Sequence, residues 1–198
     1  MKKYLLLLLL LTIGVQAQKF SSSDVIAFQR EMDAVFKIKE SSPLSEKDRA
    51  KFKGLDYYAP NADFYVVAKL TRTDSDKPFA MQTSTARKAL YRRYGILTFT
   101  LDGKPMTLNV YQSAEPMQDP KYKNNLFLPF TDMTSGKETY GGGRYLDLQI
   151  PVGDKIILDF NKAYNPYCAY SKDYSCPVPP AANNLKVAVR AGVRKFKH

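Results

Sequence analysis

The sequence predicts an α+β protein that is mainly β: an antiparallel sheet, sandwich or partly open barrel with one or two N-terminal helices. Two observations carry this. Apolar residues recur at three- and four-residue steps only before about residue 54, and from Asp63 onward they alternate or run in strand-length blocks closed by turn residues. No long helical pattern separates those blocks, so the strands are expected to pair antiparallel.

The chain opens "MKKYLLLLLLLTIGVQAQ". Lys2 and Lys3 precede an apolar run over residues 4–15, and Val15 and Ala17 give the small-x-small pattern of a signal-peptidase site ahead of Gln18. About 20 apolar residues are needed to cross a bilayer, and this run is too short, so it predicts an export signal over residues 1–17 rather than an anchor. The expected mature protein is exported and soluble, periplasmic or extracellular, with no membrane span after cleavage. It would form a single domain over residues 18–198.

Helices are expected over about 23–53. In "SSSDVIAFQREMDAVFKIKE", Val25, Phe28, Met32, Val35 and Phe36 share one face, with Ser23 or Asp24 as the cap. A shorter helix follows in "SPLSEKDRAKFKG", where Ser45 with Asp48 resembles a capping box and Gly54 supplies the stop. The β-rich part spans about 63–198. Its strands are "DFYVVAKLTRT", a hairpin in "YRRYGILTFTLDGKPMTLNVYQS" turning at Asp102-Gly103, "NNLFLPFTD", "RYLDLQI", "KIILDFN" and a last strand in "NLKVAVRA". The long Pro- and Tyr-rich loop between Phe160 and Asn183 needs a reason to be ordered.

Cys168 and Cys176 supply that reason. They are the only two cysteines, and in an oxidising compartment such a pair closes, stabilising by roughly 2.5 kcal/mol on the loop-entropy account. The sole histidine is His198, so neither a Cys/His metal site nor a Cys–His nucleophile can be assembled, and no cofactor or metal is expected. Net charge is +11, or +9 once Lys2 and Lys3 leave with the signal. The surplus favours anionic partners, but the basic residues are scattered outside the tail "VRAGVRKFKH", and export argues against nucleic acid.

The most unusual stretch is "TSGKETYGGGRYLDL", residues 134–148. Gly141, Gly142 and Gly143 permit positive φ and close approach, their amides can form an anion-binding nest, and Arg144 adds a cation. Thr134, Ser135, Thr139 and Tyr140 supply hydroxyls. The alternative is a wide loop whose polar residues face water. Beyond it lies "RYLDLQIPVGDKIILDFN". If its turn aligns Ile150 with Ile156, Leu146 and Leu148 face Phe160 and Leu158 on one side. Asp147 then opposes Asp159, and Tyr145 opposes Asn161, on the other. Opposed carboxylates repel and need an arginine bridge (Arg144, Arg190 or Arg92), a shared proton or a bound cation. A shared proton would make Asp147 and Asp159 an acid/base pair. Tyr140, Tyr145, Tyr164, Tyr167 and Tyr170 suit either a ligand wall or the core.

The stretch "TSGKETYGGGRYLDL", followed by "LDFNKAYNPYCAYSKDYSCPVPPAANNL" and "VAVRAG", resembles the bacterial and archaeal domain-of-unknown-function family numbered 1684. The resemblance covers most of the mature chain and implies a single domain of this size, without an established activity, substrate or cofactor. Val193 stands where that family commonly has an acidic residue. Three functions are left open. The first is a small-ligand or anion-binding β-domain with a polar pocket formed by Glu138, Tyr140, Gly142, Gly143, Arg144, Tyr145 and Asn161. The second is a hydrolase-like enzyme using the Asp147/Asp159 pair. The third is an envelope structural or interaction protein.

Overall fold

The computed structural model describes residues 19–73, 77–115 and 122–197. The export signal expected over residues 1–17 lies outside the described residues, as does His198.

Helix α1, Ser22–Lys37, is capped by Ser21, whose hydroxyl accepts from the Asp24 amide. The cap is therefore two or three residues earlier than expected, and Asp24 instead sits in the first turn, favourably placed against the helix dipole. Val25 and Phe36 are its buried anchors. Helix α2, Glu46–Lys51, starts at Ser45, whose hydroxyl accepts from the Asp48 amide at 3.1 Å and donates to the Asp48 carboxylate at 2.7 Å.

The sheet contains β1 (Tyr65–Arg72), β2 (Phe79–Gln82), β3 (Lys88–Leu101), β4 (Lys104–Ser113), β5 (Asn125–Phe130), β6 (Arg144–Gln149) and β7 (Lys155–Asp159). Its order is β6-β5-β4-β3-β1-β7, with β2 added on β3, and every pairing is antiparallel. The two end strands, β6 and β7, come into contact, so the sheet curls into a nearly closed barrel. The β3–β4 hairpin turns at Asp102 and Gly103, both at positive φ, as the dipeptide predicts.

One irregularity decides which residues reach the outside. Tyr91 pairs with Ser113 and Arg93 with Tyr111, but Gly95 pairs with Val110 and Leu97 with Leu108. The extra residue on β3, Tyr94, is a β-bulge, and it inverts the parity of the strand. Before it the odd-numbered residues Tyr91 and Arg93 point outward; after it Leu97, Phe99 and Leu101 point into the core. The interior is filled by such residues from the strands together with Leu185, Val187, Val189 and Ala191 from the tail, which leaves a packed core rather than an internal ligand chamber.

Two expectations are corrected. First, β6 and β7 do not pair with each other. Asp147 lies opposite Phe127 on β5, and Asp159 lies opposite Tyr65 on β1. The apolar side of each strand is as expected, with Leu146 and Leu148 facing Leu128 and Leu126, and Leu158 facing Val66. Alternation specifies the inward face but not the neighbour. The turn after Ile150 carries the chain from one end of the sheet to the other, where the Leu70 amide donates to the Asp154 carbonyl. Second, "NLKVAVRA" is not a strand. Leu185, Val187 and Val189 are buried in alternation, yet the segment is tied to the stretch after β5 by scattered backbone bonds, the Leu185 amide donating to the Thr131 carbonyl and the Met133 amide to the Val187 carbonyl. Farther along, its carbonyls are bound by a side chain.

Candidate functional site

That side chain is Arg144. As the first residue of β6 it shares parity with Leu146 and Leu148, so it enters the barrel end and is fully buried. It forms an ion pair with Asp132 at 2.9 Å, with both side chains shielded from solvent. The guanidinium also donates to the carbonyls of Val189 (2.8 Å), Ala191 and Val193 (3.4 Å), and it stacks 5.4 Å above the Phe130 ring. Asp132 is further held by the Thr134 amide and hydroxyl and by the Val189 amide. Burial lowers the Arg144 pKa, and Asp132 opposes that shift. The arginine thus does the work of a missing strand, supplying donors to three tail carbonyls.

The stretch around it is scaffold in the same sense. The Thr134 and Thr139 hydroxyls bond each other at 2.9 Å, and Ser135 accepts from the Asp132 amide. Glu138 is engaged by Arg190 at 2.8 Å and by the Tyr58 hydroxyl, contacts that lower its pKa, Arg190 first. Tyr140 packs into the smaller core around Phe36. A Cβ on Gly142 would meet the Tyr140 ring at 2.5 Å; one on Gly143, at φ 87°, would meet the Phe130 carbonyl at 2.5 Å. These glycines admit close packing by the chain itself. Asn161 clamps Asn61 through both its amide atoms (2.8 and 2.9 Å), and Asp159 accepts from Asn161 and lies 4.0 Å from Lys162.

Two of the expected site residues, Tyr145 and Asp147, do line a cavity. On the outer face of the sheet the bulged parity of β3 brings Tyr91 beside Phe127, the rings stacked at 5.4 Å. Phe127 meets Tyr145 edge-on at 4.7 Å, and Tyr145 meets Tyr164 edge-on at 5.8 Å. Tyr164 is fixed by two backbone bonds to Tyr145, at 2.9 and 3.0 Å, and its hydroxyl donates to Asp147 Oδ2 at 2.8 Å. The Tyr145 hydroxyl donates to the Pro177 carbonyl. The other wall is the strap of residues 164–177, closed by the Cys168–Cys176 disulfide, with Phe28 and Met32 of α1 beside it. Ser84 holds the strap by exchanging bonds with Cys176 at 2.8 and 3.1 Å, and Val178 donates to the Gln82 carbonyl. The open groove between these walls measures about 580 Å³.

Its electrostatics are simple. Burial raises the pKa of Tyr91, Tyr145 and Tyr164, so these phenols stay protonated and neutral. Asp147 is an exposed residue whose carboxyl is flanked by the groove's rings. Desolvation there raises its pKa, and the Tyr164 hydrogen bond opposes the rise. The groove contains one carboxylate, so the paired carboxylates of the hydrolase-like reading are absent from it. Tyrosine abundance pointed to Tyr164 and Tyr167, which line the groove, and to Tyr170, which packs on Phe36 instead. Tyr91, Phe127, Tyr174, Phe28 and Met32 were not singled out as site residues; the first two reach the groove through the bulge and the β5–β6 pairing.

A family model described as "Protein of unknown function (DUF1684)" matches residues 50–194. Curated proteins give no match. A solved structure similar to this chain is the solution NMR structure of an uncharacterized protein of Haloarcula marismortui. It is 37% identical, covers 89% of this chain and 95% of its own, and superposes with a TM-score of 0.69.

Proposed function

This chain belongs to the DUF1684 family of proteins of unknown function, and from the geometry of its own groove we propose that it binds small molecules there. The observation that carries this is the lining: a cavity of about 580 Å³, walled by aromatic rings and a disulfide-closed strap around one carboxylate, on a barrel whose interior is full. Concave, mainly apolar sites with a few placed polar groups are the usual form of a small-molecule site. The anion-binding form of the reading loses support at the glycine stretch, where Arg144 is consumed by Asp132 and the tail. An exported setting is part of the proposal, supported by the apolar run over residues 4–15 and by the disulfide. Among the described residues no helix is long and apolar enough to cross a membrane.

The test is a fragment titration of the isotope-labelled protein followed by amide resonances. Compounds of at least one class are expected to move Phe127, Tyr145 and Asp147 together. A library of aromatic, cationic, anionic and saccharide fragments that leaves all three unmoved overturns the reading.

A further inference from the structure

We propose that the groove selects organic cations, with an alkylated ammonium group seated among Tyr91, Phe127, Tyr145 and Tyr164 against Asp147; this rests on the groove being a small-molecule site. Three observations lead there. The first is charge: the protein carries a positive surplus, yet the single charged residue lining this cavity is an acid. Arg87 and Glu115, one of each sign, act on Tyr91 from the rim, and Arg87 is engaged by the Ser175 carbonyl at 3.0 Å. A cation that enters therefore meets a local field opposite to that of the surface around it.

The second is that the two hydroxyls beside the carboxylate are already spent. The Tyr145 hydroxyl is given to Pro177 and the Tyr164 hydroxyl to Asp147 Oδ2. What stays open beside them is ring surface and Asp147 Oδ1, which has no partner among the described residues. Aromatic faces carry negative quadrupole density, and a cation within about 6 Å of a ring centroid is attracted without any directed hydrogen bond. The third is shape. The edge-on packing of Phe127 on Tyr145 and of Tyr145 on Tyr164 turns the rings at steep angles to one another, 75° and 89°. They form a corner rather than a flat shelf. A corner of rings closed by a carboxylate fits a compact, spherical, weakly hydrated cation better than a flat neutral ring.

The experiment compares choline with 3,3-dimethylbutan-1-ol, in which carbon replaces the nitrogen and the charge is lost while the shape is kept. Both are titrated into the purified protein and into Asp147→Asn and Tyr91→Leu, with the backbone amides at positions 127, 145 and 147 as the readout in every case. Choline is expected to bind at least about tenfold more tightly than the alcohol, and Asp147→Asn to abolish that ratio while the fold and the weak alcohol signal survive. Tyr91→Leu should weaken choline more than the alcohol. Phosphatidylcholine vesicles supply the same ammonium from a lipid. Binding to vesicles but not to free choline assigns the source to a headgroup, and the reverse assigns it to a free metabolite. The proposal is overturned if the alcohol or glucose matches choline, or if Asp147→Asn leaves the ratio unchanged; the groove is then a small-molecule site without cation selectivity. If no probe of any class moves these amides, the small-molecule reading itself falls.

Discussion

Arg144 and Asp147 are three residues apart on β6 and face opposite ways, and their surroundings have opposite consequences. Removing one partner from a buried ion pair strands the other charge, at a cost of about 3–5 kcal/mol. Arg144→Met should lower the unfolding free energy by about that amount in urea titration, because Asp132 loses its cation and the tail carbonyls lose their donors. Combining it with Asp132→Asn should recover part of the loss. A cost below about 1 kcal/mol for the single change would show that the pair contributes little. Asp147 runs the other way. Desolvation raises its pKa in the folded state, so folding favours the proton. That contribution is fully present below the ordinary aspartate pKa and is lost as pH rises through the raised value. Asp147→Asn should therefore raise the thermal midpoint at pH 7, with the gain shrinking to nothing in acid. A midpoint that falls at pH 7 contradicts the assigned desolvation.

At the scale of elements, the strap of residues 164–177 is attached to the barrel, not built into it. Its anchors are the Tyr145–Tyr164 bridge, the Ser84 bonds to Cys176, the Val178–Gln82 bond and its own disulfide. Replacing Cys168 and Cys176 by serine removes the loop constraint, worth roughly 2.5 kcal/mol. The loss should appear locally. Hydrogen exchange at Ser175 and at position 176 should speed up while the β3 and β4 amides keep their protection, since sub-global opening follows cooperative units. Equal loss of protection across strap and barrel would show that the two form one unit. Among the described strands, β2 was the one missed in the sequence: four residues after Pro78, too short for alternation to register.

For the whole molecule, the class and, among the described residues, both α-helices and six of the seven strands were legible, because each turns on a local period or a turn dipeptide. Neighbour choice was not. Leu146, Leu148 and Leu158 were placed on the correct side, but the same alternation suits a β6–β7 hairpin and the barrel seam that exists. The tail misled in the same way, since Leu185, Val187 and Val189 alternate like a strand, while only scattered backbone bonds hold its first part and Arg144 takes the carbonyls from Val189 onward. The site was half legible: Tyr145, Asp147, Tyr164 and Tyr167 from composition and pattern, but not Tyr91, whose outward aim depends on the Tyr94 bulge. The Arg144 clasp also bears on the order in which the protein is made. Its carbonyl partners, Val189 to Val193, are synthesised long after it, at a separation of 45 to 49 residues. A nascent chain halted between β7 and Val189 has every strand but an open barrel end and a guanidinium without those partners. The segment from Val189 to Val193 is thus the one that closes this end of the barrel, and the closure waits until that segment has been made.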